Sequence, residues 1–199
     1  MGKRSDFERI PRDLYATPAK AVLPLPKYLR RDGIRTFAEL CAGNGDLIRH
    51  LEAHGLRCVH QSDITTGNNA LDVKRYKGNP DVGITNPPFR HPEDPRRSTR
   101  LLRELIAHFL TLGKPFWLLL PHDFSTNQNA APLMQYCSDI VVVGRVRWIE
   151  GTDNDGKDNS CWYRFDASFR GEIAFHNDRG EPVAVIWAAT RRSRLETAS

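Results

Sequence analysis

The chain has little cysteine, and what it has shows no pattern. Cys41, Cys58, Cys137 and Cys161 stand far apart with no paired spacing, so neither a disulfide framework nor a zinc site is written in the sequence. A reducing cytoplasm is the compartment this fits. Long apolar runs are missing as well. The longest ends in residues 116–120, far short of the roughly 20 residues that a bilayer-spanning helix needs, and the basic N-terminus lacks the apolar stretch of a signal peptide. Membrane and secretion roles are therefore not expected. With no internal repeat or low-complexity stretch either, the breaks at Leu23-Pro24-Leu25-Pro26, residues 91–97 and residues 151–159 read as punctuation within one domain spanning 1–199.

What is present is a globular balance. Of 199 residues, 40% are apolar and 27% charged, enough for one well-buried α/β domain and short for two. The charge is uneven. Residues 1–36 hold nine Lys/Arg against four Asp/Glu, and the remainder holds twenty of each, so the whole net charge of +5 sits in the N-terminal segment. Such an asymmetry suits a polyanionic partner, although a solvated basic arm has the same composition.

Strand-like and helix-like segments alternate: strand 35–41, helix 46–54, strands 57–61 and 81–85, helix 98–112. In the last, Leu101, Leu102, Leu105, Ile106, Phe109 and Leu110 recur at helical spacing behind Ser98 as N-cap. Residues 116–120 and 140–143 are continuous apolar runs, as expected of strands buried on both faces. Segments 162–165 and 183–187 read as later, antiparallel strands. The expected fold is a doubly wound, Rossmann-like α/β sheet, mostly parallel with antiparallel C-terminal strands, whose ligands sit beyond the carboxyl ends of its strands.

The first strand runs into Glu39-Leu40-Cys41-Ala42-Gly43-Asn44-Gly45 and then a helix, the position of a cofactor loop. Gly43 and Gly45 allow a tight turn and close ligand approach, but Ile48 stands where a dinucleotide fingerprint has its third glycine, which disfavours a pyrophosphate cradle. Asp63 follows the second strand, where a carboxylate can accept both hydroxyls of a ribose. Asp72 is placed to meet an adenine amino group, or to cap a helix.

After the strand at 81–85 comes Asn86-Pro87-Pro88-Phe89. Two prolines stiffen the backbone and cannot donate hydrogen bonds, leaving the Asn86 side chain and the Pro87 carbonyl as acceptors in the crevice. An exocyclic amine on a nucleobase is a poor nucleophile because its lone pair is delocalised into the ring. Two acceptors on its hydrogens localise that pair, and Phe89 offers a face on which the base stacks. No titrating base is required.

With these residues in hand, the chain resembles the class I S-adenosylmethionine-dependent amino methyltransferases, specifically the small, phage-type enzymes that modify DNA adenine at N6. Four elements between about residues 14 and 90 carry the resemblance. Tyr15-Ala16-Thr17-Pro18 resembles the N-terminal motif over the methionine end of the cofactor. Glu39, Cys41, Ala42, Gly43 and Gly45 resemble the main cofactor loop. Asp63 and Asp72, with Ile64 and Val73 beside them, resemble the ribose and adenine contacts, and residues 86–89 the catalytic motif, with Asn86 also near the cofactor. Their order resembles the gamma arrangement. The resemblance implies S-adenosylmethionine as cofactor, a basic N-terminal segment packing over its site, and no separate target-recognition domain. The same tetrapeptide serves RNA bases in this family, and a close variant serves a protein glutamine. The basic surplus, with Arg90, Arg96, Arg97 and Arg100, favours nucleic acid, DNA before RNA. An RNA base methyltransferase, or a nucleic-acid-binding protein with a vestigial cofactor fold, stays open, as does a monomeric or dimeric state.

Residues 153–158 faintly echo a calcium loop, but the glycine register is wrong and Arg164 holds the twelfth position, so a loop is expected. Arg145, Arg147, Trp148 and Trp162 flank it, and Trp148 is the candidate substrate contact there. His122-Asp123 reads as a loop cap.

Overall fold

The apolar runs become strands of one sheet because both of its faces are covered. In the computed structural model the described residues are 15–89, 98–149, 156, 158–177, 179 and 181–186. They include β1 (Thr36–Glu39), β2 (Arg57–Gln61), β3 (Val82–Thr85), β4 (Phe116–Pro121), β5 (Cys137–Arg145), β6 (Asn159–Phe165), β7 (Ile173–His176) and β8 (Pro182–Ile186). The sheet order is β2-β1-β3-β4-β6-β5-β7-β8. Pairings β1/β2, β1/β3, β3/β4 and β5/β7 are parallel, whereas β4/β6, β5/β6 and β7/β8 are antiparallel. The doubly wound α/β expectation holds, with β6 and β8 as the antiparallel members.

Alternation along β4 divides the core. Trp117 and Leu119 point into a cluster with Phe37, Ile84 and Trp162, under α1 (Ala19–Val22), α2 (Pro26–Arg31) and α3 (Asp46–Ala53). Phe116, Leu118 and Leu120 point the other way, into a cluster with Tyr163 and Phe165 under α4 (Ser98–Thr111) and α5 (Ala131–Met134). A strand flanked on both faces must be apolar at every position, which is why residues 116–120 read as an unbroken run. On α4, Leu102, Leu105, Ile106 and Phe109 are buried, the i, i+3, i+4, i+7 stripe of a helix lying on a sheet.

The segment just after residue 14 is fastened across the first face. Val22, Leu25 and Leu29 are fully or nearly fully buried there, and the indole Nε1–H of Trp162 donates to the Ala21 carbonyl at 2.8 Å. The proline-rich break at 23–26 proves to be the joint between α1 and α2, with Pro26 opening the second helix, where its missing N–H costs nothing. The far end of α2 is held by charge. Arg31 donates to Asp139 at 2.9 Å and to Asp32 at 2.7 Å, and Arg164 stands 3.3 Å from Asp32. Ser138 donates to the second Asp139 oxygen at 2.8 Å, and His176 Nε2 lies 3.3 Å from the first.

Several boundaries differ from expectation. β1 stops at Glu39 because Leu40 and Cys41 already belong to the turn, β5 is longer than the apolar run that marked it, and α4 begins at Ser98 itself. β7, with Glu172 and Gly171 before it and only two fully buried positions, was not anticipated. Residue 187, the end of the last expected strand, lies outside the described residues. No helix among the described residues is long and apolar enough to cross a membrane.

Burial alone would raise the pKa of Asp139, but hydrogen bonds from Arg31 and Ser138 and the charges of Arg31 and Arg164 outweigh it and hold the carboxyl below its ordinary value. A depressed carboxyl contributes stability above its unfolded pKa and loses it as pH falls through the folded value. Asp139→Asn should therefore cost about 1 to 3 kcal/mol at neutral pH, tempered because Arg31 is half exposed. The difference from wild type in melting temperature should close below about pH 4. A difference that stays constant down to pH 2.5 would show that charge is not its origin.

Candidate active site

Because β1, β2, β3 and β4 run parallel, Glu39, Gln61, Thr85 and Pro121 end at one edge of the sheet, and the loops leaving them form the site. The glycine loop turns through left-handed backbone at Gly43 (φ 49°) and Gly45 (φ 79°), a region that L side chains rarely adopt. A Cβ on Gly43 would meet nothing within 4 Å. Conformation rather than crowding thus demands glycine there, and the space beside the loop is open to a ligand. Ile48 is buried in the first core cluster, in agreement with a loop that is not a dinucleotide cradle.

Asp63 holds this loop. Its Oδ2 accepts the Gly43 N–H at 2.8 Å, while Oδ1 accepts the Thr65 N–H at 2.8 Å and the Thr65 hydroxyl at 2.6 Å. The Ala42 N–H donates to Ser62 O at 3.0 Å and the Ser62 N–H to Glu39 O at 2.9 Å, which joins the exits of β1 and β2. The bidentate ribose reading is narrowed by this: Oδ1 is saturated and one lone pair of Oδ2 remains. The sequence reading missed Thr65, although a threonine two residues after an aspartate is a recognisable turn pattern. Ile64 next to Asp63 is 58% exposed, an apolar surface at the place expected for adenine.

Glu39 is buried beneath the loop. Its Oε1 accepts the Cys41 N–H at 2.8 Å, but Oε2 and the neighbouring Thr85 hydroxyl make no well-formed hydrogen bond among the described residues. Burial pushes the Glu39 carboxyl up to about 8, against the opposing pull of Thr85 and the Cys41 N–H and with a further push from the charge of Asp63. Burial and the neighbouring Glu39 also raise the Cys41 thiol far above the usual thiol range, so it stands as a neutral lining group. All four cysteines are free, and no metal-ligand cluster occurs among the described residues.

Asn86 leaves the end of β3 half-buried, and its Nδ2–H donates to Thr17 Oγ1 at 3.2 Å. Thr17 is buried, so the Tyr15-Ala16-Thr17-Pro18 segment lies against Asn86 across 69 residues of sequence. Tyr15 meets Trp148 edge-on, with ring centroids 6.4 Å apart. Trp148 packs against the first core cluster and Phe89 against the second, so each offers only part of a ring to a substrate. Pro87 is buried and Pro88 half-buried.

The other expected residues make contacts of their own. Asp72 is exposed at the end of a short 3-10 turn that Asn69 caps through the Leu71 N–H, so the cap is Asn69 and not Asp72. The Val73 carbonyl lies 2.9 Å from His108 Nε2 on α4. Arg90, Arg96 and Arg97 lie outside the described residues, as does most of 153–158. Arg100 is exposed and pairs with Glu104 at 2.7 Å. His122 and Asp123 open a 3-10 turn with exposed side chains. The backbone carbonyls do the bonding there: that of His122 accepts from Tyr163 and Ser125, and that of Asp123 from Thr126.

The fold is shared with a modification subunit of a putative type I restriction enzyme from Vibrio vulnificus YJ016, at TM-score 0.52 and 14% identity, over 82% of this chain and 46% of that one. Weaker likenesses are to a chain from a type I R-M system described for its assembly and conformational transition (TM-score 0.46, 15% identity, 85% and 46% covered) and to a chain described in connection with the conversion of a disulfide bond into a thioacetal group during echinomycin biosynthesis (0.44, 16%, 81% and 88%). The chain thus spans about half the length of the first two. No protein-family model matches the sequence, and no curated protein matches it significantly.

The raised carboxyl of Glu39 makes a prediction about pH. A raised folded pKa contributes stability that is fully present below the unfolded value of 4.5 and is lost as pH rises through about 8. The neutral isostere Glu39→Gln should melt with the wild type near pH 5 and above it at pH 9, by on the order of a few kcal/mol. Equal melting at both pH values would mean that the carboxyl finds a partner for its charge.

Proposed function

We propose that the protein transfers the methyl group of S-adenosylmethionine to an exocyclic amine of a nucleobase, most specifically N6 of adenine in DNA. The observation that carries this reading is Asn86, fixed at the carboxyl end of β3 in an Asn-Pro-Pro-Phe turn beside the glycine loop. The residues present suit the cofactor. The loop is open at Gly43, Glu39 keeps an unpartnered buried oxygen for a cationic donor, Asp63 keeps acceptor capacity for a ribose hydroxyl, and Ile64 exposes apolar surface beside it. Asp72 and Val73 would close the adenine side, with Tyr15, Pro18, Cys41, Ala42 and Gly45 around the rest. When bound, S-adenosylmethionine supplies a methyl carbon activated by its sulfonium.

The chain's own work is then positional. Asn86 Oδ1 and the Pro87 carbonyl accept the two amine hydrogens and localise the nitrogen lone pair. Phe89 and the Tyr15/Trp148 pair bound the ring, which requires the base to leave its stack. No side chain has to take a proton before the nitrogen attacks, because the amine sheds its proton after the methyl group has joined it. The modification subunit that shares the fold favours DNA as substrate, and Arg90, Arg96, Arg97 and the exposed Arg145 supply positive charge for phosphates.

Incubation with labelled S-adenosylmethionine and, separately, duplex DNA, single-stranded DNA, RNA and protein, followed by nucleoside mass spectrometry, tests the assignment. N6-methyladenine from DNA is expected, and label found only in protein or RNA would overturn it. Asn86→Ala should remove most of the turnover and leave cofactor affinity in calorimetry nearly unchanged, because the lost acceptor acts on the amine during reaction. Methylation should also fall steeply with salt and show little sequence preference, since one or two side chains yield only about 1 to 3 kcal/mol of discrimination per base contact. Sequencing of methylated adenines at two salt concentrations measures both.

A further inference from the structure

A carboxamide has a donor end and an acceptor end of nearly the same shape, so a site that uses one end must hold the group against rotation by half a turn. Asn86 is half-buried, and the hydrogen bond the structure gives its side chain runs from Nδ2 to Thr17 Oγ1 at 3.2 Å. That contact turns the donor end to Thr17 and leaves Oδ1 without a partner among the described residues. Thr17 is itself held: it is 5% exposed, Pro18 follows it, the Pro18 carbonyl accepts the Ala21 N–H at 2.9 Å, and Ala21 is tied through its own carbonyl to Trp162 on β6 at 2.8 Å. The chain of contacts runs from the sheet interior to the donor end of Asn86.

We infer that Thr17 is a positioning residue, whose hydroxyl fixes the orientation of the Asn86 carboxamide and so presents Oδ1 to the incoming amine. The second half rests on the methyltransferase reading, whereas the first half does not. The hydroxyl accepts from Asn86, and it holds that orientation while its own hydrogen is turned to another acceptor, because a hydroxyl hydrogen aimed at the amide would donate to Oδ1 instead. Removing it releases the amide to populate both orientations, and the flipped one sets Nδ2–H donors against the amine's own hydrogens. The loss belongs to turnover and not to the cofactor.

Two arms separate the halves. In asparagine-labelled protein, with the Asn86 side-chain amide assigned through its absence from Asn86→Ala, Thr17→Val should move the Asn86 NH2 resonances toward those of a free amide and speed their hydrogen exchange roughly 3- to 10-fold, the range a neutral hydrogen bond commands. Thr17→Ser should restore the wild-type resonances. Unmoved resonances in Thr17→Val would overturn the inference whatever the protein's activity. In methyl transfer, Thr17→Val should lower kcat by about the same factor with KM for DNA and cofactor affinity within about twofold, and Thr17→Ser should recover it. A variant that binds cofactor weakly but turns over normally would make Thr17 a cofactor ligand and overturn the positioning role. If the wild type transfers no methyl group to any substrate, the functional reading fails while the resonance arm still decides the orientation. Thr17→Ala stands in where the valine variant does not fold.

Discussion

The architecture of the site depends on one carboxylate. Asp63 accepts from Gly43, from the Thr65 backbone and from the Thr65 hydroxyl, and in doing so joins the ends of two parallel strands that have no turn in common. Parallel neighbours are connected only through a distant crossover, so their exits are aligned by bonds made across them, here the Ala42–Ser62 and Ser62–Glu39 backbone pairs together with Asp63. A charged acceptor with several lone pairs can do so, because each donor loses water only in exchange for a charge-assisted bond. With the loop held in this way, Gly43 and Gly45 can stay in left-handed backbone, Gly45 can open α3, and Glu39 is sealed beneath. A ligand approaching the loop meets backbone already in place.

The two-sided core decides where chemistry can occur. β4 carries apolar side chains to both faces, and β1 and β3 are buried along almost their whole length. Polar groups that must meet a ligand are therefore confined to the last residues of the strands and the loops beyond them. Asn86 is the first residue past β3, and Thr17 reaches it only because α1 and α2 lie across the first face. The N-terminal segment is thus part of the site's wall as well as part of the core.

Legibility followed the range of the interactions. β4, α3 and α4 were readable because their patterns are local: an unbroken apolar run, a glycine start, a stripe at helical spacing. The Asn-Pro-Pro-Phe turn and the glycine loop were readable because proline and glycine restrict or permit backbone in ways that no neighbour has to supply. The Thr17 contact with Asn86 spans 69 residues and the Arg31 contact with Asp139 spans 108, and no periodicity announces such a pair. β7 was missed for a related reason. Its four residues, IAFH, bury only two side chains fully, so the strand exists through its neighbours β5 and β8 and not through its own pattern. Asp72 had two readings, an adenine contact or a cap, and a carboxylate beside a turn looks like a cap until its neighbour Asn69 is seen to do that work.

Two buried carboxyls show how the molecule distributes its polar cost. Asp139, on β5 beside the end of α2, meets Arg31, Ser138 and His176, and its pKa is held down. Glu39, under the glycine loop, meets one backbone N–H and leaves an oxygen unpartnered, and its pKa is driven up to about 8. Burial is common to both, so the difference lies in the partners. An unsatisfied buried polar atom costs about 1 to 3 kcal/mol, and folding could remove that cost by placing an arginine or a hydroxyl in good geometry, as it does at Asp139. The protein instead leaves this oxygen, with the Thr85 hydroxyl beside it, at the edge of the sheet where the loop is open. A donor that arrives with a ligand would find both groups already desolvated and aimed, and its binding would relieve a cost already present in the free protein. The unpaired oxygen lies where the proposed cofactor would approach, whereas the Asp139 carboxyl beside α2 has a partner at each of its oxygens.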